Sequence, residues 1–363
     1  MKKIKPMADK ATKPLIIPVF VMNSGCPHRC IFCNQKITAG NYPEKISADF
    51  FEREVISYLS WNKDKSRPVE IAFYGGSFTG MARTYQEELL SLAQGYIEKG
   101  LVHSIRISTR PDYINTDILA LLKKYDVSTV EIGAQSFVDE VLERARRGHR
   151  TGDSINAIHV LREAGLQTGV HLMVGLPGDS EEGFNYSLQK TIEIKPDTVR
   201  IHPVVVLRDT ALAEEFQQGT YQPLQFAEAV SLCKSAWLKL AAAGIRVIRI
   251  GLQITKEMEN EGAILAGPIH PAFGNLVLSA IFYEETVKVL NRLSPKPAEI
   301  RFELHNQDVS TFRGWQNNNI NSIKKLYPLA EIEVGVSAQQ KRGVISITAG
   351  QGQSLQAVIP GIA

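Results

Sequence analysis

Short apolar runs rich in β-branched residues alternate with segments of helical periodicity through residue 250. The strand candidates are 15–21, 69–74, 104–108, 129–133, 168–174, 198–205 and 245–250. Amphipathic helices are predicted between them, with Ser47 as an N-cap and Gly165 and Gly244 as helix stops. Repeated β-α-β units imply a parallel sheet with right-handed crossovers. Roughly six or seven such units favour a barrel or partial barrel over a flat, doubly wound sheet.

The pattern changes after residue 255, where a loop-rich stretch precedes a helix near 276–293. The last part of the chain is predicted to form strands at 299–304, 330–336 and 343–348, a helix at 318–326, and then a tail. We therefore predict an α/β protein with four segments. These are a basic N-terminal tail at 1–13, a core barrel at 14–255, a helical connection and linker at 256–297, and a small α+β C-terminal domain at 298–363.

The composition is that of an ordinary globular protein, with 44% hydrophobic and 22% charged residues. The basic N-terminus is not followed by an apolar stretch, and the run at 15–21 is too short to span a bilayer. We therefore expect a cytoplasmic protein with no membrane partner. A net charge of +3 is too small to indicate nucleic-acid binding by itself.

One local cluster of charge stands out, because Arg144, Arg146, Arg147 and Arg150 fall within seven positions. Arginines in such a cluster can be solvated cations near the C-terminal carbonyls of a helix, or they can contact phosphate. Composition alone favours the helix-end interpretation, and the phosphate interpretation stays open.

Three of the four cysteines, Cys26, Cys30 and Cys33, lie on one predicted loop with the spacing Cys-x3-Cys-x2-Cys. An odd number of thiols in a cytosolic protein argues against a disulfide framework. Structural zinc usually has four protein ligands, and a second cysteine pair is absent, although His28 lies inside the loop. Three thiolates suit a [4Fe–4S] cluster with one iron free of protein ligands. Cys233, on a predicted amphipathic helix, is most simply a small buried hydrophobe.

This spacing, with Phe32 just before the third cysteine, resembles the signature of the radical S-adenosylmethionine (SAM) enzymes. The resemblance implies a partial (β/α)6-type TIM barrel in which Cys26, Cys30 and Cys33 hold the cluster. It also implies that the open iron chelates SAM and that an external one-electron donor, of the ferredoxin or flavodoxin type, reduces the cluster. Cleavage of SAM would then yield a 5′-deoxyadenosyl radical that abstracts hydrogen from a substrate. Alternatively, the three cysteines bind zinc or remain free thiols.

In a parallel barrel the chemistry lies at the carboxyl ends of the strands, and polar or glycine residues follow several of the predicted strands. The candidate cofactor-binding residues are Phe32, Gly75, Gly76, Ser77, Ser108, Arg110, Gln135 and His202. Each has a structural alternative: an ordinary strand-to-helix turn for the glycines, a salt-bridge partner for Arg110, and a buried amide or imidazole for Gln135 and His202.

The resemblance gives these candidates roles. Gly75 and Gly76 would receive the methionine ammonium on their backbone, where a side chain would collide. Ser108 or Arg110 would hold the ribose or the carboxylate, since a guanidinium binds a carboxylate through paired hydrogen bonds. Gln135 would orient the sugar or the substrate.

Longer stretches narrow the resemblance. The stretches "RPDYI", "EIGAQSFVDEVLERARRGHR", "GLPGDSEEG", "HPVVVLRDTALAEEFQQGTYQPL" and "RVIRIGLQ" resemble the radical domain of the catalytic subunit of Elongator, which modifies the wobble uridine of tRNA. Weaker similarity extends to oxygen-independent coproporphyrinogen dehydrogenases. The chain departs from Elongator in its compact cysteine spacing, in Ser108 where the family has an acidic residue, and in lacking an acetyltransferase-type pyrophosphate loop after the core.

The resemblance therefore implies use of the cofactor and an RNA-like substrate, with tRNA as the expected partner and the arginine cluster as a phosphate contact. A radical SAM enzyme acting on a small metabolite or a tetrapyrrole-like acid is the second hypothesis. A non-catalytic RNA-binding protein that holds zinc is the third. The sequence predicts no particular oligomeric state.

Overall fold

The structure is a computed structural model that describes residues 14–22, 25–26, 30–39, 42–254, 256–259, 262–294, 296–350 and 352–362. The predicted basic tail at 1–13 and His28 lie outside the described residues. The predicted division into four segments stays a prediction.

Strands and helices alternate along the chain. The strands are β1 (Leu15–Val21), β2 (Val69–Gly75), β3 (Ser104–Thr109), β4 (Val127–Gln135), β5 (Gln167–Val174), β6 (Thr198–Pro203), β7 (Val206–Leu207), β8 (Arg246–Ile250), β9 (Ile264–Ala266), β10 (Glu299–Leu304), β11 (Glu331–Val336), β12 (Val344–Ala349) and β13 (Gln353–Val358). The helices are α1 (Gln35–Ala39), α2 (Ala48–Trp61), α3 (Arg83–Glu98), α4 (Thr116–Lys124), α5 (Asp139–Arg144), α6 (Thr151–Glu163), α7 (Glu181–Ile194), α8 (Ala211–Gln217), α9 (Phe226–Ala242), α10 (Lys256–Glu259), α11 (Phe273–Leu290), α12 (Val309–Arg313) and α13 (Asn318–Leu326).

The main sheet of the described chain has seven parallel strands in the order β1-β2-β3-β4-β5-β6-β8. Along the chain, helical crossovers connect the neighbouring strands of this sheet. The sheet curls into a half-barrel with β1 and β8 at its edges. This confirms the predicted α/β partial barrel. Because all strands are parallel, their carboxyl ends lie at one end of the half-barrel, which we call the mouth.

The two faces of the sheet differ in chemistry. On the convex face, Phe73 of β2 stacks on Phe51 of α2 with ring centroids 6.2 Å apart, and both rings are buried. On the concave face, the strands carry charged and hydroxyl side chains at alternating positions, among them Glu70 and Arg106. The convex face of the half-barrel therefore packs against the helices through an apolar core, and its concave face is lined by polar groups.

Local sequence signals set several element ends as predicted. The Ser47 hydroxyl accepts a hydrogen bond from the backbone N–H of Phe50 and caps α2. Gly165 and Gly244, at φ +80° and +73°, follow α6 and α9 and end these helices in a left-handed conformation.

The C-terminal part forms a second sheet in the order β11-β10-β12-β13. The prediction of a tail after the strand at 343–348 is wrong, since β13 pairs antiparallel with β12 along its whole length. Its sequence, QSLQAV, is half polar and buries only Ala357 fully, so it lacks a continuous apolar run. Helix α11 packs between this sheet and α9, and the indole N–H of Trp237 donates to the carbonyl of Pro360 at 2.8 Å. None of the described helices has the length and hydropathy needed to cross a membrane.

Candidate active site

The cysteine loop lies directly against the turn that follows β2. Gly25 adopts φ +72°, and a Cβ added there would lie 2.6 Å from the carbonyl carbon of Gly80 and would overlap the carbonyl oxygen of Ser77. A Cβ added to Gly80 would in turn overlap the carbonyl oxygen of Gly25. The backbone N–H of Gly76 also donates to the carbonyl of Val21 at the end of β1, at 2.7 Å. Two glycines thus let the cysteine loop and the β2 turn touch backbone to backbone.

Further backbone bonds fix the second half of the loop. The N–H of Ile31 donates to the carbonyl of Ala145 after α5, and the carbonyl of Ile31 accepts from the N–H of Leu212 in α8. Phe32 packs against the same apolar cluster, which includes Leu212 and the buried Ile31. The predicted role of Phe32 in cofactor binding stays a prediction, because its described contacts are with this apolar cluster.

The three thiols are close enough to interact electrostatically. The backbone N–H of Ser77 bonds to the Cys26 sulfur, and Nε2 of Gln35 donates to the same atom at 3.8 Å. Burial raises the pKa of the Cys26 thiol, and Cys30 adds to the increase. Cys33 is exposed at the rim of the loop, yet the protein atoms around its sulfur, together with Cys30 and Cys26, raise its pKa to about 12. Three clustered thiolates repel one another unless a cation lies between them.

Among the described residues, Arg147 is a cation in direct contact with one of the thiols. Its Nη1 donates to the Cys30 sulfur at 3.1 Å and its Nη2 donates to the carbonyl of Gly133 at 2.6 Å. The side chain is buried, and its Nε has no hydrogen-bond partner among the described residues. Arg147 is therefore not a solvated cation at a helix end, and its assignment to a substrate phosphate stays a prediction. A buried guanidinium with a free N–H beside the cysteines is suited to an anion held at the cluster site.

The turn after β2 carries a buried hydroxyl network. The Ser77 and Thr79 hydroxyls lie 2.9 Å and 2.7 Å from the Thr109 hydroxyl, which ends β3. Gly75, at φ +99°, sits where an added Cβ would approach the carbonyl of Val21 at 3.2 Å. The network fixes the backbone of the predicted ammonium-binding turn, so its carbonyls are held in place next to Cys26.

Arg110, a predicted ligand of the cofactor's carboxylate or ribose, is paired with a carboxylate of the chain itself. Its Nε and Nη2 donate to the two carboxylate oxygens of Asp112, both at 3.0 Å. The side chain is 4% exposed, so the pair is largely buried rather than solvent-facing. The guanidinium already binds a carboxylate of its own turn, and the assignment of Arg110 to the cofactor stays a prediction. Ser108, one residue before the end of β3, is partly exposed and lies in register with Glu131 on β4.

Gln135 and His202 lie at the mouth. Gln135 ends β4 at φ +70°, and its side-chain nitrogen would be 3.0 Å from a Cβ added to Gly133, beside Arg147. His202, near the end of β6, lies 5.9 Å ring to ring from His171. Burial, reinforced by the charges of His171, Arg200 and Arg249, lowers the pKa of His202 well below its ordinary value. Their assignment to cofactor or substrate stays a prediction.

The remaining arginines of the sequence cluster point to different neighbours. Arg144 pairs with Glu215 at 3.7 Å, and both side chains are substantially exposed. Arg150 pairs with Asp139 at 3.8 Å. Arg146 and Arg150 line a shallow depression together with His149 and three carboxylates, Asp139, Glu143 and Asp153. The acids in this depression oppose phosphate binding there, and the assignment of the four arginines to phosphate stays a prediction.

Sequence reasoning missed a charged network on the concave wall. Glu131 is fully buried and accepts from Arg106 at 2.7 Å, from Arg200 at 3.0 Å and from Nε2 of His171 at 2.5 Å. Burial by itself would raise the pKa of Glu131, but the hydrogen bond from His171 and the charges of His171, Arg200 and Arg106 hold it well below its usual range. The signal was present, because charged residues interrupt the apolar runs "VEIAFY", "SIRIS", "TVEIG" and "VRIHP", and alternate residues of a strand share one face of the sheet.

The network has more positive than negative groups toward β8. Nη2 of Arg200 also donates to the Tyr74 hydroxyl at 2.5 Å, and its Nε has no partner in the described part of the chain. Arg249 donates to the carbonyl of Gly251 and to Gln253, both at 3.3 Å, and pairs with no carboxylate among the described residues. This end of the concave wall therefore favours an anion.

Comparison with known proteins assigns the family. The family model for the Radical SAM superfamily matches residues 20–190, and the model for the Radical SAM C-terminal domain matches residues 196–282. Together they span more than half of the chain. The chain belongs to the radical SAM superfamily. Enzymes of this family use a [4Fe–4S] cluster and SAM.

This radical SAM protein is similar to two curated proteins, one archaeal and one human. The chain is 26% identical over 304 residues to a tRNA uridine(34) acetyltransferase of Methanocaldococcus jannaschii, which covers 68% of this chain and 56% of that protein. It is 26% identical over 236 residues to human Elongator complex protein 3, covering 58% of this chain and 41% of that protein. The chain thus spans about half the length of these relatives.

A solved structure supports the fold. The chain matches Elp3 of the archaeon Methanocaldococcus infernus with a TM-score of 0.57 and 21% sequence identity, covering 75% of this chain and 64% of that one. At this identity the match supports the half-barrel architecture.

The residues of this radical SAM protein fit the family's cofactors on three observations. Three interacting thiols lie on one loop, the loop touches a glycine turn backbone to backbone, and a buried arginine with an unpartnered N–H contacts one thiol. Within the described residues, no group of three or more His, Cys, Asp or Glu side chains has the geometry of a single-ion site. A cubane binds its cysteines at separate irons, so it does not require the sulfurs to meet at one ion.

Proposed function

We propose that this protein is a radical SAM enzyme that abstracts hydrogen from a nucleoside of RNA, with tRNA as the substrate class. The contact between the cysteine loop and the β2 turn, with Arg147 beside Cys30, carries the enzymatic part of the proposal. The two relatives named above, one of them named for uridine 34 of tRNA, support the RNA part.

The chain's own residues would prepare the cofactor site in three ways. Cys26, Cys30 and Cys33 would hold the cluster, which with bound SAM supplies the 5′-deoxyadenosyl radical. The Ser77 N–H stabilises the Cys26 thiolate by a hydrogen bond, and Arg147 does the same for Cys30. The unpartnered Nε of Arg147 is suited to a carboxylate at this position.

The reaction would need an external one-electron donor of the ferredoxin or flavodoxin type. The proposed location is the cytoplasm, where tRNA is available. Acetyl transfer is not part of the proposal, because the chain spans only about half of the relatives that carry that name.

Mass spectrometry of tRNA nucleosides tests the substrate. We expect that one modified nucleoside is lost from cells that lack the protein. It should return on expression of the wild-type chain and not on expression of Cys30→Ala. Identical nucleoside profiles in all strains would contradict an RNA substrate.

A specific observation favours a second candidate, a small anionic metabolite. Arg200 and Arg249 leave excess positive charge at the β8 end of the concave wall, where a carboxylate would be stabilised. Cell extracts depleted of RNA should then still stimulate 5′-deoxyadenosine formation, whereas extracts depleted of small molecules should not. Stimulation by purified tRNA alone would contradict this second candidate.

A further inference from the structure

Four aromatic rings form a row that joins the half-barrel to the C-terminal part of the chain. Trp315 meets His270 edge to face at 5.2 Å, His270 meets Phe226 at 6.3 Å, and Phe226 meets Phe273 at 5.5 Å, with interplanar angles of 70° to 84°. Trp315 is 55% exposed and Phe226 is 39% exposed. These two exposed rings are joined through the partly buried His270, whereas Phe273 is buried and anchors the row in the core.

The row lies at the mouth of the half-barrel. Gly251 directly follows β8, and a Cβ added to Gly251 would lie 3.1 Å from the Cβ of Phe273. A Cβ added to Gly274 would lie 2.8 Å from the carbonyl oxygen of Ile250, the last residue of β8. The amino end of α11 therefore packs on the carboxyl end of β8, which is the end where the chemistry of such barrels takes place.

The surface next to Trp315 is polar and carries positive charge. A shallow depression of about 540 Å³ is lined by Asn306, Val309, Ser310, Arg313, Gly314, Gln316 and Asn317. Its lining includes one cation and no carboxylate, and Arg313 pairs with no acid among the described residues. Gln316 and Asn317, the two residues after Trp315, both adopt left-handed φ values of 51° and 60°. This conformation is costly for residues other than glycine and is concentrated at ligand sites.

We propose that Trp315 stacks on an unpaired base of single-stranded RNA, with Arg313 and the neighbouring amides contacting the adjoining phosphate and base edge. The inference rests on the proposed function, since it assigns RNA to the same mouth. Aromatic rings bind bases of any sequence because every base has a π-face, and a nearby guanidinium neutralises the phosphate. The site gives the C-terminal part of the chain a role: it holds a strand of RNA beside the half-barrel while one nucleoside enters.

The chain offers a matched control. Trp61 is 68% exposed and lies 5.3 Å from Tyr58, at the carboxyl end of α2. Because helices run antiparallel to the strands of such a barrel, this end of α2 is opposite the mouth. Trp237 is nearly buried. Trp61 and Trp315 are therefore both exposed, and the proposal assigns RNA binding to Trp315 alone.

Binding of an oligouridine probe to the full-length, cluster-loaded protein tests the proposal. We expect Trp315→Ala to weaken binding roughly tenfold, since stacking of one base contributes about 1–3 kcal/mol, and Trp315→Phe to restore most of the affinity. The probe should quench tryptophan fluorescence in wild type and in Trp61→Phe, but much less in Trp315→Phe. A duplex RNA, whose bases are stacked on each other, should bind wild type and Trp315→Ala equally.

Unfolding temperatures of the variants identify any loss of RNA affinity that comes from misfolding. If Trp315→Ala is unstable, the affinity of Trp315→Phe and the fluorescence quenching still test the proposal. Wild-type RNA affinity in Trp315→Ala, or quenching lost in Trp61→Phe instead, would overturn the stacking site while leaving RNA as a substrate. Absence of any RNA binding by the wild-type protein would overturn both proposals.

Discussion

At the residue scale, Arg146 and Arg147 show how neighbours of the same type acquire different roles. Arg146 adopts φ +54° just after α5, and the turn sends the two side chains in different directions. Arg146 lines a surface depression, whereas Arg147 is buried against Cys30 and Gly133. In the sequence Arg146 and Arg147 are neighbours within one cluster of arginines, so their separation could not be predicted from it.

Replacing Arg147 by Ala should leave the carbonyl of Gly133 buried without its donor and remove the cation beside Cys30. We expect a loss of about 2–3 kcal/mol in the free energy of unfolding, together with a lower iron content after anaerobic reconstitution. Arg144→Ala is the control, because its exposed pair with Glu215 contributes about 0–1 kcal/mol. Equal iron contents and equal urea midpoints in the two variants would refute this role for Arg147.

His149 gives a pH-dependent prediction. Burial, followed by the charges of Arg147 and Arg110, lowers the pKa of His149 to about 3. Between about pH 6.5, the ordinary histidine pKa, and that value, the unfolded chain binds a proton that the folded chain does not. This group therefore stabilises the fold fully above pH 6.5 and makes it less stable as the pH falls, by up to about 1.4 kcal/mol per pH unit.

The neutral variant His149→Gln should lack this contribution. Urea unfolding under reducing, anaerobic conditions at pH 7.5, 6.5 and 5.5 measures it. We expect the stability of the wild-type protein to fall more steeply with decreasing pH than that of the variant. Parallel curves for the two proteins would show that His149 is not held neutral in the folded chain.

At the element scale, the contact between the cysteine loop and the β2 turn is the feature on which the site depends. Apolar runs predicted the strands because buried parallel strands are apolar along their length, and Gly75 and Gly76 were predicted to allow close approach at the end of β2. Gly25 was not singled out, because a contact with Gly80 depends on how two distant turns pack.

Gly25 and Gly100 form a matched pair for testing this contact. Both have φ +72°, but an added Cβ at Gly100 meets no described atom within 4 Å. Gly100→Ala should therefore cost only the backbone strain of about 1–2 kcal/mol. Gly25→Ala should cost more and should reduce the iron retained after reconstitution. The same iron content in both variants would show that the close approach is unnecessary for the site.

The concave wall joins strands through buried charge. Glu131 on β4 contacts Arg106 on β3, His171 on β5 and Arg200 on β6. Glu131→Gln keeps the shape and removes the charge, so we expect a loss of about 3–5 kcal/mol near pH 7. Because the pKa of Glu131 is lowered in the folded state, its stabilisation is complete above about pH 4.3 and is lost below it. A urea difference between wild type and variant that does not shrink in acid would contradict this assignment.

At the scale of the whole molecule, the order of strands and crossovers was predictable and the pairing of distant segments was not. The alternation of apolar runs and helices indicated the parallel half-barrel. Strand β13 has only a weak apolar pattern, with three apolar residues among six, and it pairs with β12. Strands β7 and β9 pair across a long connection. Within the site, the cysteine spacing indicated the cluster, while the pairing of Arg110 with Asp112, on either side of Pro111, depends on local geometry that their spacing does not specify.

The central claim is that three cysteines of this chain hold a cluster that cleaves SAM. The most direct measurement is 5′-deoxyadenosine formed after anaerobic reconstitution and reduction, compared among wild type, Cys30→Ala and Cys233→Ala. Cys233 is buried on α9, away from the loop, and serves as the thiol-matched control. We predict about four irons per chain and 5′-deoxyadenosine in wild type and Cys233→Ala, and neither in Cys30→Ala. A colourless wild-type protein with one zinc, or undiminished 5′-deoxyadenosine from Cys30→Ala, would contradict the claim.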